Sequence, residues 1–543
     1  MADFARMRQD FPSRQYPYHV ANRLGFGAAS LDMSEGKTYR FIMGRDAAPV
    51  LLTNEDGKRS LSDPFAQLIL LTGNSLPRSL RTLLARLNQF DTDAIKGLPV
   101  QNSFVVADGG HIPWTPETDD LQRAFRFAIT RRAKDAHTAD LLVSASTDLD
   151  SETAFLQVIG WDPAAGAYQF YERRGGSWIW AGSSWDALES DSRGKGPFDS
   201  HVNGALNMKE LKQPWVNWHS EASRILDAAL APDDPLRQEP LWKNRSPAEA
   251  FETEVVRPGI RQWTNSRIAA QTKQGRLERF PHFTRQVVET TTVNLISSPV
   301  SSAALANVEQ VPLPVTFFVH ADALVDLVGI APQITAPSVP ASVYRDTLVH
   351  YDVALTDGKH RIPGDTKFVF VVPEPSFEDA VVIESLLTLG VLSPKFVASL
   401  LMVDFCNPVF SSRRAALAPY FPPTAPVNDA KSTEAEFVSR LRQSHNATIA
   451  GSPEVEFLDN WSLSERTWTQ EFQGRIEQFF VALSPMLTDK AAFFKIFALA
   501  ESRRREFRKR PLAEFRLTTP VTNIPEDAPL LEFAVDGSIH PKI

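Results

Sequence analysis

The residues best suited to chemistry lie in one stretch, residues 194–221, which reads GKGPFDSHVNGALNMKELKQPWVNWHSE. His201 and His219 flank a short helical candidate that carries Lys209 and Glu210. Two imidazoles and one carboxylate are a donor set that binds iron and leaves coordination positions open for a substrate. The stretch therefore predicts a metal site formed by His201, Glu210 and His219.

The helical candidate has an unusual distribution of polar residues. At a step of about 100° per residue its apolar residues do not form one stripe, and Lys209 and Glu210 lie between them. A buried amine or carboxylate is costly unless it is paired or bound to a metal. We therefore expect Lys209 to take part in catalysis, and Trp215 and Trp218 to line the cofactor pocket.

Two alternatives remain open for this stretch. In the first, one of the two histidines is an axial ligand of haem iron. In the second, Ser220 caps a helix over residues 220–230. His219 then merely precedes that helix, and the two tryptophans belong to the core.

His320 and Asp322 are a second candidate pair. The apolar residues 315–319 predict a buried strand that ends at His320. An imidazole with a carboxylate nearby is suited to general-base catalysis or to metal ligation. This pair supports an alternative function, a hydrolase or lyase that uses no metal.

Three further carboxylates, Glu374, Glu378 and Asp379, lie close together in the sequence. Paired carboxylates can perform acid–base chemistry. Two of them, however, fall in the first turn of a predicted helix over residues 377–389, where acidic side chains interact favourably with the helix dipole. We therefore assign them a structural role.

The sequence predicts arginines at two solvated surfaces. It predicts that the single cysteine lies in the core. One surface is the basic end of a helix, between Arg503 and Arg510, and the other is a face of a predicted helix over residues 117–134. Cys406 is the only cysteine, which excludes an intramolecular disulfide. We expect it to be small and buried, although a thiolate could also ligate haem.

The local patterns predict an α+β fold. Three strands are expected, at residues 153–161, 167–173 and 177–181. Turn residues join them into an antiparallel β-meander over residues 140–182, with helices around it. The expected regions are an α+β region with the meander (1–245), a mixed α/β region (246–425) and a helical C-terminal region with an extended tail (426–543).

Composition narrows the class of protein. The formal net charge is −8, which argues against a general nucleic-acid-binding protein. No apolar run approaches the ~18–20 residues of a membrane span, and the N-terminus lacks the apolar core of a signal peptide. We expect a cytoplasmic protein that binds a small-molecule substrate. A homo-oligomer is one alternative for its assembly.

Common catalytic motifs are absent from the sequence. It contains no G-x-x-x-x-G-K-[ST], H-E-x-x-H, C-x-x-C or G-x-S-x-G pattern. The first hypothesis is therefore an oxidoreductase that uses iron, non-haem or haem, on a small organic substrate. The alternatives are the metal-free hydrolase or lyase and a non-enzymatic assembly or binding protein, which the aromatic content, the proline-rich loops and the basic helix end support.

Overall fold

The computed structural model of the chain describes residues 33–108, 124–206, 215, 217–357, 360–509 and 520–542. Within these residues the chain builds one large sheet in its first part and a mostly helical body after it. No helix among the described residues is long and apolar enough to span a membrane.

One eight-stranded sheet organises the first part of the protein. Its strands are β1 (Thr38–Arg40), β2 (Val50–Leu51), β3 (Val100–Asp108), β4 (Ala124–Arg132), β5 (Leu141–Ser146), β6 (Leu156–Asp162), β7 (Ala167–Arg174) and β8 (Ser177–Ser183). Their spatial order is β2-β1-β8-β7-β6-β5-β4-β3. Strands β3 to β8 form an antiparallel meander, whereas β1 pairs with β8 in parallel. The sheet is therefore mixed, and the α+β prediction is confirmed while the antiparallel topology is confirmed only in part.

The remaining strands form small sheets. They are β9 (Thr272–Lys273), β10 (Arg276–Leu277), β11 (Val293–Ile296), β12 (Gln310–Pro312), β13 (Ser338–Pro340), β14 (Ala354–Asp357), β15 (His360–Pro363), β16 (Val372–Pro375), β17 (Ala425–Pro426), β18 (Leu531–Phe533) and β19 (Ile539–Pro541). The pair β11–β16 and the hairpin β18–β19 are the two that bear on the candidate site.

Helices dominate the rest of the described chain. They are α1 (Asn54–Ser60), α2 (Leu80–Asn88), α3 (Ser184–Leu188), α4 (Pro240–Lys243), α5 (Ala248–Phe251), α6 (Arg257–Gln271), α7 (Pro281–Val288), α8 (Ala341–His350), α9 (Phe377–Thr388), α10 (Pro394–Leu401), α11 (Ser412–Ala415), α12 (Ala430–Arg442), α13 (Pro453–Ser462), α14 (Trp468–Thr488) and α15 (Lys490–Lys509). The helical C-terminal region is confirmed in part, because the hairpin β18–β19 follows the last of these helices.

Alternation along the strands gives the sheet two apolar faces. One face carries Val105, Phe127, Val143, Val158 and Trp178. The opposite face carries Phe104, Ala128, Leu142, Phe170 and Ile179.

The second of these cores also contains residues that lie much later in the chain. Phe368, Val381, Val409 and Phe507 pack with the sheet residues of this face. A third core, within the helical body, joins residues between Ile268 and Phe533. The sheet and the helical body are thus packed together, and the division into three regions stays a prediction.

The predicted helix over residues 117–134 is wrong for its described part, which is strand β4. Both faces of this strand are covered by the two cores, so its residues do not show the apolar–polar alternation that is typical of a strand. Arg126 and Arg131 are buried rather than solvated. The Arg126 guanidinium lies 4.2 Å from the centre of the Phe155 ring, and Arg131 donates to Asp91 Oδ2 at 2.7 Å.

Two further predicted elements are corrected. Residues Val315–Phe317 form a 3-10 turn rather than a strand. Pro312 and Pro314 precede it, and a proline has no N–H to donate to a strand ladder. The helix predicted over residues 220–230 is reduced to one 3-10 turn, Asp227–Ala229.

Three arginines at the start of the basic segment of α15 are buried, so the prediction of a solvated end is wrong for them, whereas Lys509 is exposed. Arg503, Arg504 and Arg505 are each at most 3 % exposed. Arg503 donates to the Phe317 and Cys406 carbonyls, Arg504 to Val371 O at 3.0 Å, and Arg505 to Ala528 O at 2.5 Å. Guanidinium groups offer five donors in a fixed fork, which suits carbonyls that lie outside regular ladders.

Cys406 is buried, as predicted. Its thiol donates to the Phe533 carbonyl at a sulfur–oxygen distance of 3.4 Å. Burial raises the pKa of this thiol, so the group is a neutral part of the core.

Asp63 is a buried carboxyl that supports the sheet. Its Oδ1 accepts from the amides of Phe65 and Ala66 at 3.0 and 3.1 Å, and Tyr171 donates its hydroxyl to Oδ2. The side chain is 0 % exposed, and burial raises its pKa to about 7. A group with a raised folded-state pKa stabilises the fold at low pH, and this contribution is lost as the pH rises through the folded-state pKa.

We predict that Asp63→Asn flattens this pH dependence. Between about pH 4 and pH 8 the unfolding free energy of the wild type should fall by about 2–4 kcal/mol relative to the variant, as measured by urea denaturation. Asp93→Asn is the matched control. Asp93 accepts from the amides of Ile95 and Lys96 in the same way but is exposed, and these bonds lower its pKa. Parallel curves for the wild type and Asp63→Asn would contradict the assignment.

Candidate functional site

The described part of the central stretch is buried and polar. A 3-10 turn, Gly196–Asp199, leads into further turns, so the residues before 207 do not form the predicted helix. His201 is buried, its Nδ1 lies 2.8 Å from the Ala205 carbonyl oxygen, and its ring contacts Phe170 of β7. His201 therefore lies on the sheet face that carries Phe170.

Residues 217–219 extend the sheet beyond the edge strand β3. The amide of Ala107 donates to Asn217 O at 2.7 Å, and the amide of His219 donates to Val105 O at 2.9 Å. His219 Nδ1 accepts from the amide of Ile225, a residue of the opposite core. Burial, followed by the nearby arginines, lowers the pKa of His219 to about 4, so the imidazole is neutral at pH 7.

The described contacts place His201 and His219 at different strands of the large sheet. His201 contacts β7 and His219 is bonded to β3, and three strands separate β7 from β3 in the sheet. Glu210 and Lys209 lie outside the described residues. Among the described residues no three His, Cys, Asp or Glu side chains are grouped to hold a metal. The three-ligand site stays a prediction that the described residues do not test.

Trp215 and Trp218 are both about 1 % exposed. Their ring centres are 5.7 Å apart, and Trp218 stacks on Phe251 of α5 at 4.9 Å. These contacts place both rings in the core of the sheet. Their role beside a cofactor likewise stays a prediction.

Two carboxyls at the start of α9 form the most polar buried centre near this stretch. Glu378 and Asp379 are 2 % and 5 % exposed, because β16 and α9 pack against the sheet and the helical body at once. Asp379 Oδ1 accepts from Gln286 Nε2 at 3.2 Å and from the Thr291 hydroxyl at 3.1 Å. We call Glu378, Asp379 and their partners the carboxyl centre.

Asn203 joins the central stretch to the carboxyl centre. Its amide group donates to Thr291 Oγ1 at 2.9 Å, and its Oδ1 accepts from Arg285 at 2.8 Å. Trp263 fixes the backbone there by donating to the Asn203 carbonyl at 2.7 Å. The polar residues of the stretch thus turn inward toward a hydrogen-bonded network.

Burial dominates the electrostatics of the carboxyl centre. It raises the pKa of Asp379 well above its usual value, and the neighbouring Glu378 raises it further. Burial also raises the pKa of Glu378, although Arg267 opposes this change. The same burial lowers the pKa values of Arg267 and Arg285 to about 10, so both stay cationic at pH 7. Burial and Glu378 thus both favour the neutral form of Asp379.

A small polar cleft opens beside Asp379. Its walls include six polar residues, Gln286, Glu289, Thr290, His320, Asp379 and Arg414. The free space holds roughly one water molecule. His320 therefore lines a cleft that contains two carboxyl groups, those of Glu289 and Asp379. Asp322, its predicted partner, begins a turn of π-helix at Asp322–Leu327 and is not a wall of this cleft.

The position of Glu378 and Asp379 in the first turn of a helix predicted a structural role for them, and the carboxyl centre was not predicted. One signal was present in the sequence. Only residues 373–376 separate the apolar run at residues 368–372 from α9, so the first turn of the helix begins close to the core. Acidic residues that follow a fully buried strand indicate a functional site more strongly than acidic residues at an exposed helix start.

No protein-family model, no curated protein and no solved structure matches the chain. Function is therefore inferred from the residues of the protein itself.

We predict that Asn203→Ala destabilises the protein by about 2–3 kcal/mol, because it leaves buried groups of Arg285 and Thr291 without these hydrogen bonds. Asn523→Ala is the matched control, since Asn523 is exposed and its side chain donates only to His350 O. Urea denaturation of both variants measures the difference. Equal stability of the two variants would show that Asn203 does not hold the network.

Proposed function

We propose that the protein is an acid–base enzyme, a hydrolase or lyase that uses no metal and acts on a small molecule. The observation that carries this proposal is a buried carboxyl, Asp379, with a strongly raised pKa beside a polar cleft. Carboxyls kept neutral by burial and by a second carboxyl are typical of general acids. Strongly perturbed titratable groups in a cleft are functional-site candidates on physical grounds.

The roles follow from the groups that line the cleft. Asp379 donates a proton to the leaving group, and the imidazole of His320 accepts one from the attacking nucleophile. Gln286 orients Asp379 through its hydrogen bond to Oδ1. The free space suits a single water molecule, which favours hydrolysis within this class. The rest of a small substrate then lies outside this space.

The iron or haem oxidoreductase remains a separate hypothesis. It rests on His201, Glu210 and His219, of which the structure describes only the two histidines. The cytoplasmic location, the small-molecule substrate and a homo-oligomeric state are likewise proposals.

The test is turnover of a panel of small esters, amides and phosphate esters. We expect Asp379→Asn to lose at least about 100-fold in kcat, because it preserves the shape of the side chain but removes the proton. His320→Gln should lose activity against the same substrate.

Asp346→Asn is the matched control for this experiment. Asp346 is an exposed residue that pairs with Lys490, and it does not line the cleft. Its variant should keep wild-type turnover. Turnover that Asp379→Asn leaves unchanged would contradict the proposed function.

A further inference from the structure

An irregular loop, residues 404–410, contributes to one wall of the cleft. Pro408 from this loop lines the cleft, and the backbone of Phe410 is bonded to Thr290, which lines it too. The distance from the Phe410 amide nitrogen to Thr290 Oγ1 is 2.6 Å. The position of this loop therefore sets the width of the cleft.

The loop contains two residues in left-handed backbone conformations. Asp404 has φ 54° and Phe410 has φ 60°. A bulky side chain at positive φ is disfavoured by sterics and persists only where the surroundings hold it. The loop is thus a strained wall that requires external contacts.

The hairpin β18–β19 and the residue that follows it supply such contacts. Asn407 exchanges two hydrogen bonds with the backbone of Phe533, at 2.9 and 3.0 Å. Phe533 itself is buried against Phe317, Phe318 and Phe479. This contact is the fixed anchor of the hairpin on the loop.

Lys542 makes a second contact at the far end of the hairpin. Its ammonium group donates to the Phe410 carbonyl at 2.7 Å and to Glu506 Oε2 of α15 at 2.8 Å. The side chains of Lys542 and Glu506 are both partly exposed, at 16 %. The carbonyl of the strained residue thus accepts from a cation that lies near solvent, in addition to the bond between its amide and Thr290.

We propose that residues 530–542, which we call the strap, close the cleft, and that release of Lys542 from Phe410 opens the wall to a ligand. Phe533 keeps the strap attached while Lys542 leaves, so the opening stays local. Loss of the Lys542 contact lets Phe410 relax from its positive φ and draws Pro408 away from the cleft. A space of one water molecule then widens to admit a substrate. The role of this opening in catalysis, which is the entry of a substrate, rests on the proposed function.

Amide hydrogen exchange of residues 404–412 tests the strap without any substrate. We expect Lys542→Met to raise the exchange rate of the Phe410 amide at least about tenfold, because the wall opens more often. Lys542→Arg retains a cationic donor and should restore slow exchange. Lys490→Met, which removes an exposed lysine paired with Asp346, is the matched control and should exchange as the wild type.

Wild-type exchange of the Phe410 amide in Lys542→Met would overturn the strap. The strap would also be overturned by equal acceleration over the whole chain, or by Lys542→Arg exchanging as fast as Lys542→Met. These results are independent of turnover. A strap that opens as expected, together with unchanged turnover in Asp379→Asn, would refute the proposed function and leave the strap in place.

Discussion

The burial of Glu378 and Asp379 side by side is the constraint on which the candidate site depends. Two adjacent carboxyls cannot both be ionised in a core without strong compensation, since burial and mutual repulsion each favour the neutral form. Arg267 and Arg285 are the cations near this centre. Asn203 connects the hydrogen-bonded network of the centre to the sheet. The position of α9 between the sheet and the helical body is what makes this centre both buried and adjacent to a cleft.

Buried arginines donate hydrogen bonds to the irregular backbone, of which this fold contains a large amount. The sequence contains 39 prolines, and proline cannot donate to a ladder. Carbonyls in the intervening loops still need donors when they are buried. Arg414 donates to the carbonyls of Asn407 and Pro408, and Arg505 donates to those of Ala528 and Pro529. These guanidinium groups therefore stabilise loops of the fold and do not form a solvated surface.

The sequence predicted the elements whose patterns are local. In the turn at residues 162–166, Asp162 accepts from the amides of Ala164 and Ala165, and Gly166 has φ 58°. These turn residues are recognisable in the sequence, so the strands on either side were predicted. Strand β4 was mistaken for a helix because cores on both of its faces remove the alternation that marks a strand. His320 and Asp379 line the same cleft although they are 59 positions apart in the chain, and such long-range proximity leaves no local pattern in the sequence.

The most direct measurement of the central claim is the protonation of Asp379, observed by infrared difference spectroscopy at about pH 7. Subtraction of the Asp379→Asn spectrum from that of the wild type should show the carbonyl band of a protonated carboxyl, because burial and Glu378 raise the pKa of this group well above its usual value. The Asp93→Asn spectrum, taken in the same way, should show an ionised carboxylate, because the hydrogen bonds from Ile95 and Lys96 lower the pKa of Asp93. If the Asp379 difference spectrum instead shows only carboxylate bands, Asp379 is not a neutral acid and the account of the site is wrong.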